Sequence, residues 1–177
     1  MVGGNVGGVA FQLDVPEQEL FIRWTQLAMF LPTVQFSLTP WEKEYDITVQ
    51  ENAIAMAKLR AKYVTPILLD FQQNKNKIGT LQHGFPVTPL WWIDQNSNQA
   101  YIEKESYLVG TKILVAAVSH KDERGRYVYF PNFGDEETVW KRIDVASQEV
   151  IENSSYKGGS NVWFDLDLFD VGLFQRQ

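Results

Sequence analysis

The 177-residue chain is long enough for one ordinary domain or two small pieces. It is 45% hydrophobic and 14% aromatic, which supports a packed core and argues against disorder. The net charge is −6 and the sixteen basic residues form no run or stripe, which argues against a nucleic-acid partner. No apolar run is long enough to span a bilayer, so no membrane segment is expected. With no cysteine, disulfides and thiolate metal sites are excluded. Met1 to Asn5 has neither a basic start nor a long apolar centre, so no secretory signal is expected there.

Residues 1–13 are glycine-rich, with Gly3, Gly4, Gly7 and Gly8. A loop approaching a ligand closely and a mobile terminus both fit this pattern. Asp14 and Glu17 have capping-box spacing and Pro16 suits a first helical turn, so a helix is expected over 16–30. Leu20, Trp24, Leu27, Ala28 and Leu31 define its apolar stripe. After Pro32, residues 33–38 alternate, with Val34, Phe36 and Leu38 on one face and Gln35 and Ser37 on the other. A helix feeding a short buried strand is the repeating unit of an α/β barrel, where polar residues near a strand's C-terminal end are candidates for substrate contact. Gln35 and Ser37 are therefore candidate substrate-binding residues. Trp41 offers an indole on which a sugar ring can stack, or else plugs a barrel rim. Glu42, Glu44 and Asp46 read as a solvated acidic loop.

Thr48 and Glu51 repeat the capping-box spacing. A long helix is expected next, with Val49, Ala53, Met56, Ala57, Val64, Ile67, Leu68 and Phe71 on one side, kinked or divided at Pro66. His83 reads as an exposed loop residue. It and His120 are the only histidines and have no near pairing in sequence, so no histidine-based metal site or triad is expected.

From Phe85 the texture becomes strand-like. Runs at 86–93, 107–110, 113–119, 126–130, 139–145 and 162–169 are separated by turn residues, the pattern of a β-sandwich. Ile113 to Val118 is apolar throughout and is expected between two layers. Phe164, Leu166 and Leu168 alternate with Asp165 and Asp167, giving one buried and one wet face. Asp165, Asp167 and Asp170 have the look of a calcium cluster, but an exposed strand face gives the same pattern.

Five stretches taken together resemble glycoside hydrolase family 31: Met1 to Asn5, Glu19 to Phe36, Pro86 to Trp92, Tyr107 to Val118 and Arg126 to Pro131. The most specific are Glu-Leu-Phe-Ile-Arg-Trp-Thr-Gln-Leu-Ala-Met-Phe-Leu-Pro and Tyr-Leu-Val-Gly-Thr-Lys-Ile-Leu-Val-Ala-Ala-Val. The resemblance is nearest to the myogenesis-regulating branch of the family. It implies an α/β plus β fold: the last two strand-helix units of a (β/α)8 barrel over residues 1–84, then an antiparallel β-sandwich over 85–177. It also implies retaining hydrolysis of α-glycosidic bonds by two aspartates, which must stand roughly 5 Å apart.

In the family both aspartates precede the region matched here, and Met1 is expected to be an internal family methionine. Asp14, Asp46, Asp70 and Asp94 do not occupy the catalytic positions. No catalytic residue is expected in this chain, which is expected to be an inactive glycosidase fragment by itself. Gln35 and Ser37 stand where many members carry arginine and histidine, as in the myogenesis-regulating branch, which implies α-galactoside substrates. The implied partner is a carbohydrate, bound through the parent enzyme. No cofactor and no metal are expected. The compartment cannot be read, though the family resemblance admits the secretory-pathway lumen. Asn153-Ser154-Ser155 matches a glycosylation sequon, in keeping with that compartment.

Two rival readings accompany this one. The first is a non-catalytic carbohydrate-binding β-sandwich that presents Trp91, Trp92, Trp140 or Trp163; core filling is the alternative for each. The second is a structural role after loss of an active site. Two barrel units cannot close a barrel, so exposed apolar surface is expected over residues 9–71.

Overall fold

The computed structural model describes residues 3–6, 15–134 and 137–177. Strand β1 (Gly3–Val6), helix α1 (Gln18–Ala28) and strand β2 (Thr33–Phe36) form one β-α-β unit. The strands are parallel, with Gly3 opposite Thr33 and Val6 opposite Phe36. Gly4 lets the helix rest on the strand, because a Cβ there would stand 2.4 Å from the Ala28 Cβ. The alternation expected for β2 is present: Thr33 and Gln35 are exposed, and Val34 and Phe36 pack inward.

The stripe expected on α1 is rotated. Leu20 is 52% exposed, while Phe21, Ile22, Arg23, Thr25, Gln26 and Ala28 are buried. The helix is covered on two sides. The parallel pair takes Phe21, Ile22 and Ala28 with Val6. Carbonyl groups from residues 166–170 take Arg23 and Gln26. Asp14 and the glycines at 7 and 8 lie outside the described residues; Glu17 is the N-cap and makes no side-chain cap bond.

Helix α2 (Ile47–Leu59) starts two residues earlier than the Thr48–Glu51 spacing implies. Asp46 is its N-cap and accepts from the Thr48 backbone N–H at 2.9 Å. A π-helical turn, Arg60–Val64, then leads into helix α3 (Thr65–Gln73). Pro66 sits in the first turn of α3, so the expected division is made by a π turn that places the proline where its missing N–H costs nothing. Val49, Ala53, Met56, Val64 and Phe71 are buried as expected, whereas Ala57 is exposed. The apolar residues left exposed in this half include Trp41, Ile47, Ile54 and Leu69.

The run at 86–93 is not a strand. Thr88 bridges Leu108, and Pro89 then caps a helical turn, α4 (Leu90–Ile93). A second short helix, α5 (Asn98–Ile102), follows behind a Ser97 cap. The remaining runs form strands β3 (Ser106–Val109), β4 (Ile113–Ala116), β5 (Gly125–Tyr129), β6 (Val139–Arg142) and β8 (Asn161–Asp165), and two strands that no expected run covers join them, β7 (Tyr156–Lys157) and β9 (Gly172–Arg176). They make an antiparallel five-stranded sheet, β3-β4-β9-β6-β7, and an antiparallel pair, β5-β8.

Strand β4 divides two cores, as its unbroken apolar run implies. Leu114 and Ala116, with Val118 beyond them, face Val128, Phe130, Trp140, Phe164, Leu166 and Phe174 between the sheet and the β5-β8 pair. Phe130 lies at the centre, stacked on Tyr156 at 5.0 Å and edge-on to Phe174 at 4.8 Å. Ile113, Val115 and Ala117 face the other way, onto Met29, Phe30, Met56, Leu59 and Val64 from the helical half. One continuous sheet therefore packs against both halves of the chain.

Candidate functional site

The C-terminal end of the β1-β2 pair holds the candidate residues. Gln35 is exposed and lies opposite Asn5, which is also exposed. Both carry amides that donate and accept hydrogen bonds. The Ser37 backbone N–H donates to the Val6 carbonyl at 2.9 Å, and its Oγ donates to the same oxygen at 3.1 Å. The backbone bond continues the parallel ladder by one residue, and the second uses the hydroxyl proton. Trp41 is 64% exposed in the turn that follows. Neither strand carries a carboxylate.

The acidic loop beyond Trp41 is committed to local structure. Glu42 accepts from the Thr39 N–H at 3.2 Å, Lys43 pairs with Glu44 at the surface, and Asp46 caps α2. Below the strand ends, Arg60 donates to the Met29, Leu31 and Pro32 carbonyls at 2.6, 2.5 and 2.9 Å and fixes the turn entering β2.

His83 is partly buried rather than fully exposed. It stands in a cavity of about 320 Å³ beside Pro66, Ile67, Phe71 and Thr111, with its Nε2 3.9 Å from Asp70. His120 is exposed between Glu105, at 3.4 Å, and Glu123, at 3.6 Å. Among the described residues no group of three histidines or carboxylates could hold a metal ion. The three aspartates at 165, 167 and 170 diverge. Asp165 accepts from the Trp163 indole, Asp167 is exposed, and Asp170 pairs with Arg142. Burial raises the Asp170 carboxyl above its ordinary value, against the pull of Arg142.

The four tryptophans of the second half differ. Trp140 is fully buried and its indole donates to the Pro131 carbonyl at 3.2 Å, so it is core. Trp92 is partly buried against that same core. Trp91 is partly exposed and stacks on Tyr101 at 6.1 Å. Trp163 is 51% exposed and meets Tyr127 edge-on at 5.2 Å. Asn153 is exposed in a turn, with the Ser154 hydroxyl donating to Ile151 O at 2.7 Å.

Periodicity misses the contacts that join the two halves. Arg23 is 4% exposed and donates to the carbonyls of Glu123, Leu166, Asp167 and Asp170 and to the Gln26 side chain, at 3.1–3.3 Å. Burial pulls its guanidinium below the ordinary value. Gln26 donates to the Leu168 carbonyl at 2.7 Å. Arg124 closes the same seam on Glu19 at 2.6 Å. The one sequence signal is the pair of polar residues, Arg23 and Gln26, three apart in the middle of an apolar helix.

The model of the glycosyl hydrolase family 31 C-terminal domain matches residues 84–177. The chain is 38% identical over 136 residues to mouse Myogenesis-regulating glycosidase, covering 74% of this chain and 18% of that protein. It is 27% identical over 176 residues to the SITS-binding protein of Tetronarce californica, covering 97% and 23%. The structure of a cycloalternan-degrading enzyme from Trueperella pyogenes superposes with a TM-score of 0.78 at 18% identity, over 99% of this chain and 24% of that one. The chain thus spans about a fifth of the length of the curated relatives it matches. The first of them agrees with the branch expected from the sequence. With more than half its length matched by the family model, the chain belongs to glycosyl hydrolase family 31.

Proposed function

We propose that this chain forms the last two strand-helix units of a retaining α-glycosidase barrel over residues 1–84, joined to the β-sandwich over 85–177. Gln35, Ser37 and Trp41 are the residues assigned to the sugar. The observation that carries this reading is the parallel β1-β2 pair, linked through α1, with Gln35 exposed at the end where α/β barrels bind substrate. Gln35 and Ser37 are polar groups of the kind that hydrogen-bond sugar hydroxyls, and the Trp41 indole covers an apolar ring face. An α-galactoside is the substrate that the sequence resemblance to the myogenesis-regulating branch implies.

None of the three side chains can attack an anomeric carbon or protonate a leaving oxygen at neutral pH. Retaining hydrolysis needs two carboxylates roughly 5 Å apart. Neither β1 nor β2 carries one. The chain therefore supplies substrate contacts and structural support, and by itself is inactive. Purified chain incubated with 4-nitrophenyl α-galactoside and 4-nitrophenyl α-glucoside tests this. Nitrophenol release equal to buffer is expected, and saturable release would overturn the reading.

A further inference from the structure

We propose that the outward face of the β5-β8 pair is a second carbohydrate site, with Trp163 and Tyr127 as the floor for a pyranose ring. The two residues are register partners on adjacent antiparallel strands, 58% and 51% exposed for Tyr127 and Trp163. The indole is held in one pose by two independent features. Its Nε1 donates to Asp165 Oδ1 at 2.9 Å, two residues along the same strand face. Its six-membered ring lies across Gly125, the register partner of Asp165, where a Cβ would stand 2.7 Å from Trp163 Cζ2. An exposed side chain fixed this way loses little further freedom when a ligand covers it.

The chemistry of the surround selects the ligand. The open cavity over the pair has a volume of about 590 Å³, the size of a small-molecule site, and no aliphatic side chain lines it. A protein partner's apolar anchor would find no matching pocket there. A pyranose has an apolar C–H face for the rings and equatorial hydroxyls for a polar rim. Glu105, Glu123 and Asp165 supply that rim, each with lone pairs beyond those engaged by His120, Ser119 or the indole. Arg126, in the same lining, is engaged by Glu103 at 2.8 Å and Glu105 at 3.6 Å, so the choline control below separates a sugar from a cationic ligand. Arg124 also holds Glu19 in the first turn of α1. Binding here requires no nucleophile, so it is independent of the hydrolase reading.

The test follows the indole N–H resonances of the full ¹⁵N-labelled chain during titration with maltopentaose and, separately, raffinose. A saturable shift of the Trp163 resonance with at least one sugar is expected, while that of buried Trp140 stays in place. Trp163→Ala should weaken that affinity at least about tenfold, read from sugar-to-protein saturation transfer. Its melting temperature should equal that of the parent chain, which keeps the loss from being one of folding. Asp165→Asn keeps an acceptor for the indole and should bind more tightly than Asp165→Ala. No saturable shift with either sugar, undiminished binding by Trp163→Ala, or a shift produced by choline chloride in place of sugar would overturn the proposal.

Discussion

The guanidinium of Arg23, on the first helix, donates to the main-chain oxygen of Leu166, 143 residues later, at 3.3 Å. With the Glu123, Asp167 and Asp170 carbonyls it forms a four-point clamp between the helical half and the sandwich. Removing the side chain takes a donor from all four carbonyls, of which Asp167 and Glu123 keep a second, from the Asp170 N–H and the Arg124 guanidinium. Arg23→Ala is expected to cost about 3 kcal/mol and to lower the melting temperature by about 6–12 °C. Arg23→Lys should recover less than half of this, since one ammonium cannot span four acceptors. Calorimetry of the three proteins checks it, and an unchanged melting temperature in Arg23→Ala would contradict the clamp.

Acid should loosen the same seam through Glu19. The Arg124 guanidinium that it accepts from, helped by the Asp122 N–H, holds its carboxyl below the ordinary value despite partial burial. A lowered carboxyl contributes stability that is present above its unfolded value, about 4.3, and is lost as pH falls through the folded one. Asp46 and Asp144 are lowered too and act in the same direction. Asp170 acts oppositely: its raised carboxyl costs stability once pH climbs above the unfolded value and through the folded one. Glu19→Gln should flatten the acid limb of a stability-against-pH curve, followed by urea denaturation between about pH 3 and 7. An identical acid limb in the variant would rule out this role for Glu19.

The tryptophans should separate cleanly on truncation. Trp140→Ala removes a fully buried side chain from the sandwich core and is expected to cost about 3–5 kcal/mol. Trp91→Ala removes a partly exposed stack on Tyr101 and should cost less than about 1 kcal/mol. Denaturant midpoints measure both, and equal losses would mean that exposure misidentifies the core.

Asn153 is exposed at a turn whose backbone the Ser154 hydroxyl braces, so a glycosyltransferase can reach it. Secreted expression behind an added signal peptide in cultured animal cells is expected to give a band that N-glycanase shifts. Asn153→Gln should abolish the shift. An unshifted wild-type band would show that the sequon is not used.

Much of the fold is legible in the residues because most elements bury one regular face. Val34 and Phe36 alternate with Gln35, and Phe164 and Leu166 with Asp165, so both strands could be read with their faces. The burial of β4 on both sides follows from its unbroken apolar run. Helix α1 misleads because two of its buried residues, Arg23 and Gln26, are polar and donate to carbonyls more than 140 residues away. No local pattern encodes those partners. The segment at 86–93 misleads because Pro86 and Pro89 favour extended backbone, while Pro89 also starts a helical turn well. Strand β9, central in its sheet, escapes because its short run offers no alternation: Leu173 and Phe174 are buried on opposite faces. At the candidate site the residue types were readable, but the use of the Ser37 proton by Val6 was not.

The central claim is that this chain contacts the sugar without supplying the nucleophile. A 5-fluoro-α-galactosyl fluoride traps the carboxylate that attacks in a retaining enzyme, and intact-mass spectrometry of the treated chain reads the trap directly. An unmodified mass is the expected result. A single glycosyl adduct on an aspartate or glutamate of this chain would contradict the claim.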